Sequence, residues 1–118
     1  MPTGKICYLE IPAIDVEASA QFYSKLFGWK IRTRGDGQRA FDDATGGVSG
    51  TWVLGRTPNR EAGTIVYVMV DNVQGTLDEI SKSGGQLVTP RTGLGSGGEA
   101  FATFRDPAGN LVGIYQER

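Results

Sequence analysis

The segment VEASAQFYSKLFGWKI (residues 16–31) is repeated in outline 57 residues later, as VQGTLDEISKSGGQLV (residues 73–88). In both segments, apolar residues recur at the spacing of an amphipathic helix. Polar residues that can cap a helix precede each one, Asp15 before the first and Asp71 and Asn72 before the second, and glycines follow both. The two segments therefore predict two equivalent helices.

Extended apolar runs precede both helices, at residues 6–11 and 65–70, and short strands follow them. Two further segments match at a shift of 63, residues 43–50 and 106–113, and each predicts a tight turn between two strands. The change of shift places about six extra residues in the glycine-rich loop 92–99. Each half of the chain therefore reads as a strand, a helix and three strands.

The composition is that of an ordinary globular domain. The 118 residues include 12 basic and 13 acidic side chains, with a net charge of −1, and the basic residues are scattered. We therefore expect no nucleic-acid partner. No apolar stretch has the length of a signal peptide or a membrane span, so we expect a cytoplasmic protein with no membrane partner. Cys7 lies in an apolar run and is expected to be a buried thiol.

Two motifs carry a resemblance to a known family. The stretch YLEIPAIDVEASAQFYSKLFGW (residues 8–29) resembles the opening of proteins of the vicinal-oxygen-chelate superfamily, which includes glyoxalases, bleomycin resistance proteins and extradiol dioxygenases. The stretch FRDPAGN (residues 104–110) resembles their closing hairpin. With the repeat, the resemblance covers essentially the whole chain.

The resemblance implies a fold and an assembly. It implies an α+β fold in which two βαβββ modules, residues 5–56 and 63–118, form a curved, mixed-sheet open barrel around a cavity. The chain would be a single domain over residues 1–118. Relatives of this size usually pair, so the resemblance also implies a homodimer.

Metal-using members of that superfamily place one ligand on the first and one on the last strand of each module, usually His, Gln or Glu. Carried over one by one, these positions fall on Tyr8, Gly50, Ile65 and Gly113. Gly and Ile have no donor side chain, one phenolate cannot hold an ion alone, and the chain contains no histidine. We therefore expect no metal and no other cofactor.

Strand alternation predicts which side chains share the cavity face with these four positions. The predicted ligand-binding residues are Tyr8, Glu10, Val48, Gly50, Trp52, Ile65, Tyr67, Met69, Leu111, Gly113 and Tyr115. The set is mostly aromatic and apolar, as in small-molecule pockets. The two glycines would leave space that an organic group could occupy.

Glu10 is the candidate catalytic residue, because a carboxylate in an apolar cavity can act as a general base or acid. The alternative is a carboxylate near a strand end that pairs with an arginine. Four clustered aromatic residues are predicted to be core because of their helical spacing: Phe22, Tyr23, Phe27 and Trp29. The loop 93–98 is a candidate flap over the cavity.

Three functions remain open from the sequence. The first is a metal-independent protein that binds an apolar or aromatic small molecule. The second is a metal-free lyase or isomerase that uses Glu10 as general base. The third is a metal-dependent, glyoxalase-like lyase or a dioxygenase, which would need ligands that these four positions do not supply.

Overall fold

The computed structural model describes residues 3–60 and 63–118. Its elements are β1 (Tyr8–Ala13), α1 (Val16–Phe27), β2 (Lys30–Thr33), β3 (Arg39–Asp42), β4 (Ser49–Leu54), β5 (Tyr67–Met69), α2 (Val73–Lys82), β6 (Gln86–Gly93), β7 (Ala100–Arg105) and β8 (Leu111–Gln116). The predicted α+β class and the two βαβββ units are confirmed.

The strands form two four-stranded mixed sheets with the same internal order, β1-β4-β3-β2 and β5-β8-β7-β6. In each sheet the first and last strands of the module pair in parallel, and the other neighbours are antiparallel. Within the described residues the curved sheets do not close into a barrel. The two modules are therefore topological copies of each other.

Both helices begin and end as their sequences predict. The Asp15 carboxylate accepts a hydrogen bond from the Ala18 amide (3.2 Å), and the Asn72 side chain accepts one from the Gly75 amide (2.9 Å). These contacts satisfy amides that have no partner inside the helix. Gly28 ends α1 with φ +70°, the left-handed conformation that glycine adopts without strain.

The two modules share one core. The α1 aromatic rings of Phe22 and Phe27 lie 6.0 and 6.3 Å from the ring of Phe104 on β7, in the other module. Tyr23 stacks on Trp29 at 4.6 Å. Phe22, Tyr23 and Trp29 are buried and Phe27 packs against the same cluster, so the predicted aromatic core is confirmed. One face of each sheet is thus covered by helices.

A buried polar cluster of Tyr23, Asp106 and Asn110 joins the modules. The Tyr23 hydroxyl donates to Asp106 Oδ2 (2.8 Å), and Asn110 Nδ2 donates to the carbonyl of Pro12 (2.7 Å). Burial raises the pKa of Tyr23 well above its ordinary value, and the neighbouring Asp106 carboxylate raises this pKa further. Each member is satisfied by a partner across the junction, so the cluster fixes how the modules meet.

Two expectations from the sequence are corrected here. Cys7 is exposed, because β1 begins only at Tyr8 and Cys7 lies ahead of the strand that packs on the core. Strand β6 extends to Gly93, further than predicted, and takes up the start of the glycine-rich loop.

In residues 3–60 and 63–118, neither helix has the length and the apolar character needed to span a bilayer.

Candidate functional site

Each sheet has an open face that points away from the helices, and cross-strand partners share a face. We define the first open face by the partners Tyr8, Glu10, Lys30, Arg32, Ala40, Asp42, Ser49 and Thr51. We define the second open face by the partners Tyr67, Met69, Phe101, Thr103, Arg105, Leu111, Gly113 and Tyr115, together with Gln86, Thr89 and Thr92 of β6. Seven of the eleven candidate residues therefore lie on two separate faces, and Val48, Gly50, Trp52 and Ile65 lie on neither.

Strand β4 faces the opposite way from the prediction. Gly50 and Trp52 were expected to share a face with Tyr8 and Glu10, and this prediction is wrong. A Cβ atom on Gly50 would lie 2.5 Å from the buried ring of Phe41. Trp52 is 2% exposed and packs 4.9 Å from the same ring. Both residues therefore belong to the core, and Thr51 takes the open face beside Glu10.

The physical reason is one extra residue in the first turn. The Asp43 amide donates to the carbonyl of Val48 (2.8 Å), whereas the Asp106 amide donates to the carbonyl of Asn110 (3.0 Å). The first turn thus closes one residue later than the second. A shift of one residue moves every following side chain to the other face of a strand.

The space beside each glycine is filled by a ring of the chain itself. A Cβ atom on Gly113 would collide with the Tyr67 ring, 2.8 Å from its Cζ atom, on the second open face. At Gly50 the ring of Phe41 occupies the equivalent space on the core side. The expectation that the two glycines leave room for an organic group is therefore wrong.

The first open face is polar and ion-paired. The Tyr8 hydroxyl accepts a hydrogen bond from Arg34 (2.8 Å), and Arg34 also pairs with Asp36 (2.7 Å). The Glu10 carboxylate pairs with Arg56 (2.8 Å), and both side chains are 48% exposed. Glu10 is thus neither buried nor unpaired, which is the arginine-paired alternative considered from the sequence.

The second open face is aromatic and apolar along β5 and β8, and polar towards β6. Tyr67 and Met69 are 46% and 59% exposed, and the Phe101 ring lies 6.3 Å from that of Tyr67. At one end the Tyr115 hydroxyl donates to the Glu99 carboxylate. This hydrogen bond raises the pKa of Tyr115, and partial burial and nearby carboxylates add to the effect. Glu99 supplies the acidic group that sequence reasoning had assigned to Glu10.

The predicted residues do not line one common cavity. Glu10 and Leu111 border a cavity of about 110 Å³ between the modules. Val48, Tyr67 and Met69 border a second, of about 220 Å³. Neither is bordered by the other predicted residues, and Ile65 precedes β5 instead of lying in it.

The residues present do not fit a metal ion. Ile65 and Gly113 offer no donor atom, and the Tyr8 oxygen faces the positive charge of Arg34. Across residues 3–60 and 63–118, no three His, Cys, Asp or Glu side chains converge in a way that could hold an ion. The donor set that the family's metal site requires is therefore not assembled.

Comparisons with known proteins show which family this chain resembles. Residues 5–114 match the family model described as "Glyoxalase/Bleomycin resistance protein/Dioxygenase superfamily". A "Glyoxylase-like domain-containing protein" of Didymella fabae is 31% identical over 94% of this chain and 92% of the relative. CFP32 of Mycobacterium tuberculosis, whose name assigns it provisionally to the glyoxylases, is 28% identical over 92% of this chain. The chain spans only 44% of CFP32.

Solved structures show the same fold at low identity. The fosfomycin resistance protein FosX of Listeria monocytogenes superposes with a TM-score of 0.79 at 14% identity, over 100% of this chain and 96% of that one. A glyoxalase-related enzyme of Fulvimarina pelagi gives 0.73 at 21% identity, over 97% and 88%. With its paired βαβββ modules and its match over residues 5–114, the chain belongs to the glyoxalase/bleomycin resistance protein/dioxygenase superfamily.

Proposed function

We propose that this chain is a metal-independent, small-molecule-binding protein that holds an apolar or aromatic ligand against the second open face. The observation that carries the proposal is the ring of Tyr67 lying over Gly113. Where the family's metal users project a ligand to the ion, this chain presents an aromatic surface. A flat ring favours stacking with another ring and offers nothing to a cation-binding site of this kind.

The polar pair of Tyr115 and Glu99 at the edge of the second open face would orient such a ligand. The Tyr115 proton is committed to Glu99, so the phenol oxygen and the second carboxylate oxygen are left as acceptors. An aromatic molecule with a donor group would stack on Tyr67 and point that group towards this pair. A mostly apolar surface with a few polar groups is typical of small-molecule sites.

The proposal includes a homodimer. Tyr67 and Met69 are 46% and 59% exposed on the second open face. A single sheet face covers a bound molecule from one side only, and exposed apolar area of this kind favours association. A second copy of the chain would cover the other side of the ligand.

Two tyrosines of equal exposure provide a matched test, Tyr67 at 46% on the second open face and Tyr8 at 45% on the first. Untagged protein would be screened against aromatic compounds by thermal shift, and hits measured by calorimetry with EDTA present. We expect Tyr67→Ala to weaken binding about tenfold, the loss of one stacking partner, and Tyr8→Ala to leave it unchanged. Equal losses in both variants, or the lack of any binder, would refute the proposal.

A metal-free lyase or isomerase that uses Glu10 is the second candidate, favoured by the position of Glu10 at the rim of the cavity it shares with Leu111. One hydrogen bond to Arg56 leaves the other carboxylate oxygen available to a substrate proton. Turnover of a carbonyl substrate that disappears in Glu10→Gln, with the fold intact, would support this role. An unchanged rate would dismiss it.

A further inference from the structure

The two turns between the last strands of each module begin with an aspartate that does the same structural work. Asp106 Oδ1 accepts hydrogen bonds from the amides of Ala108 (3.0 Å) and Asn110 (2.9 Å). Asp43 Oδ1 accepts from the amides of Thr45 (3.1 Å) and Gly47 (2.9 Å). In both turns, one carboxylate oxygen therefore holds the turn together.

The two turns differ in the hydrogen bonds made by the second carboxylate oxygen of the aspartate. Asp106 Oδ2 accepts from the Tyr23 hydroxyl (2.8 Å) and from Asn110 Nδ2 (2.9 Å). Among the hydrogen bonds between described residues, none reaches Asp43 Oδ2. The residue of α2 that matches Tyr23 in the repeat is Ile80, and Val48 closes the first turn where Asn110 closes the second. Neither substitute carries a donor.

A cavity adjoins Asp43 and the rest of the first turn. It measures about 220 Å³ and is bordered by the first turn, including Asp43 and Thr45. Its other borders include Phe27, Trp29, Phe41, Val48, Tyr67 and Met69. The cavity thus pairs an aromatic and apolar lining with one carboxylate.

The Asp43 carboxylate is ionised at neutral pH. Burial acts to raise the pKa of Asp43, but hydrogen bonds from the Thr45 side chain and from the amides of the turn outweigh it, and the pKa lies below its ordinary value. An ionised oxygen without a side-chain donor, in a residue that borders an apolar cavity, gains from a donor supplied by a ligand.

We propose that this cavity binds a small aryl compound that carries a hydrogen-bond donor, a phenol or an aryl amine, with the donor on Asp43 Oδ2. The chain's own Tyr23, seated on Asp106, is the template for this mode of binding. The volume is below the range of drug-sized pockets, so the ligand is one ring with a short substituent. This site goes beyond the proposed function because its polar anchor is Asp43 rather than the pair of Tyr115 and Glu99, although the two sites share Tyr67 and Met69.

The test uses 4-methylphenol, which is the tyrosine side chain itself, and 4-methylanisole, which has the same ring but no donor. Each would be titrated into ¹⁵N-labelled protein. We expect 4-methylphenol to shift the amide signals of Ala44, Thr45 and Val48 and the indole signal of Trp29. Its affinity should exceed that of 4-methylanisole by about tenfold, since a charge-assisted hydrogen bond is lost in the second compound.

Asp43→Asn is the decisive variant, because asparagine keeps an acceptor for the turn and places a donor where Oδ2 was. It should abolish the preference for 4-methylphenol over 4-methylanisole. Asp36→Asn, in the loop before β3, is the control and should keep the preference. Equal affinity for both compounds in the native chain, or signal shifts confined to other regions, would overturn the proposal, as would an undiminished preference in Asp43→Asn.

A second variant, Val48→Phe, keeps the proposal testable if Asp43→Asn does not fold. Val48→Phe would fill the cavity from its border and should remove binding of both compounds there. Full retention of 4-methylphenol binding by this variant would also overturn the proposal. Because Tyr67 and Met69 belong to both sites, Asp43→Asn is the variant that tests the two proposals apart, and it should leave unchanged the binding of ligands oriented by Tyr115 and Glu99.

Discussion

The two modules share one topology and use their last strands in opposite ways. Gly50 of β4 turns towards the core and lies under Phe41, whereas Gly113 of β8 turns to the open side and lies under Tyr67. Residues 43–50 and 106–113 align without a gap and share an aspartate and two glycines, but the first turn closes one residue later than the second. Similar sequences in the two modules therefore do not imply similar surfaces. One extra residue in a turn moves every side chain of the following strand to the other face of the sheet.

The same difference extends to chemistry. The first turn leaves a carboxylate oxygen of Asp43 at a cavity, while the second turn commits both oxygens of Asp106 to the junction of the modules. The first open face is ion-paired and the second is aromatic. We therefore expect the functional residues of this chain to lie where the two modules differ.

The largest expected loss of stability comes from replacing the aspartates that begin the two turns. Asp106→Ala would leave the buried donors of Tyr23, Ala108 and Asn110 without their acceptor and should lower the free energy of unfolding by about 3–5 kcal/mol. Asp43→Ala should cost about 1 kcal/mol, since it loses only the local bonds of an exposed turn. Urea unfolding measures both, and equal losses would contradict the account.

The pair of glycines tests the opposite orientation of β4 and β8. In Gly50→Ala the new methyl group would meet the buried Phe41 ring and the Leu9 carbonyl, neither of which can move, and we expect a loss of about 2–3 kcal/mol. In Gly113→Ala it would meet the half-exposed Tyr67 ring, which can swing aside, and we expect about 1 kcal/mol or less. Thermal denaturation would compare them, and the reverse order would refute the assignment of faces.

Tyr23→Phe removes one hydroxyl from the junction and should cost about 1–2 kcal/mol at neutral pH. Because the folded pKa of Tyr23 is raised, its contribution is complete below the unfolded pKa of about 10 and is lost as the pH rises above that value. The native chain should therefore lose stability above pH 10 more steeply than Tyr23→Phe, by up to about 1.4 kcal/mol per pH unit. Tyr8→Phe, at an exposed hydroxyl, is the control, and parallel pH curves for the native chain and Tyr23→Phe would contradict the prediction.

The smallest effect is expected on the first open face. Glu10→Gln breaks an ion pair with Arg56 in which both side chains are half exposed, and exposed pairs contribute about 0–1 kcal/mol. The free energy of unfolding should change by about 0.5 kcal/mol or less, and 1 M salt should reduce the difference further. A loss above about 2 kcal/mol would mean that Glu10 is buried in solution, for example in a dimer.

Local and repeated signals predicted most of the fold. The helices, their caps and the aromatic core follow from periodicity within short windows, as Asp15, Asn72 and Trp29 illustrate. The face of β4 depends on where the preceding turn closes. The matched motif gives no sign that the first turn closes one residue later than the second. Placing a residue at a strand end also requires the strand's true start, which is why Cys7 was misplaced.

The polar partners at the candidate site could not be predicted in the same way. Arg34 and Arg56 come just after strand ends, and Glu99 follows a glycine-rich loop, so their contacts with Tyr8, Glu10 and Tyr115 span from 16 to 46 residues of chain. Sequence periodicity carries no information about such contacts.

The most direct test of metal independence is native mass spectrometry of untagged protein, stripped with EDTA and then exposed to manganese, iron(II), nickel and zinc salts. The account predicts that the chain keeps the mass of the metal-free protein in each case. One tightly held ion per chain, lost on changing Tyr8 to Phe, would contradict it.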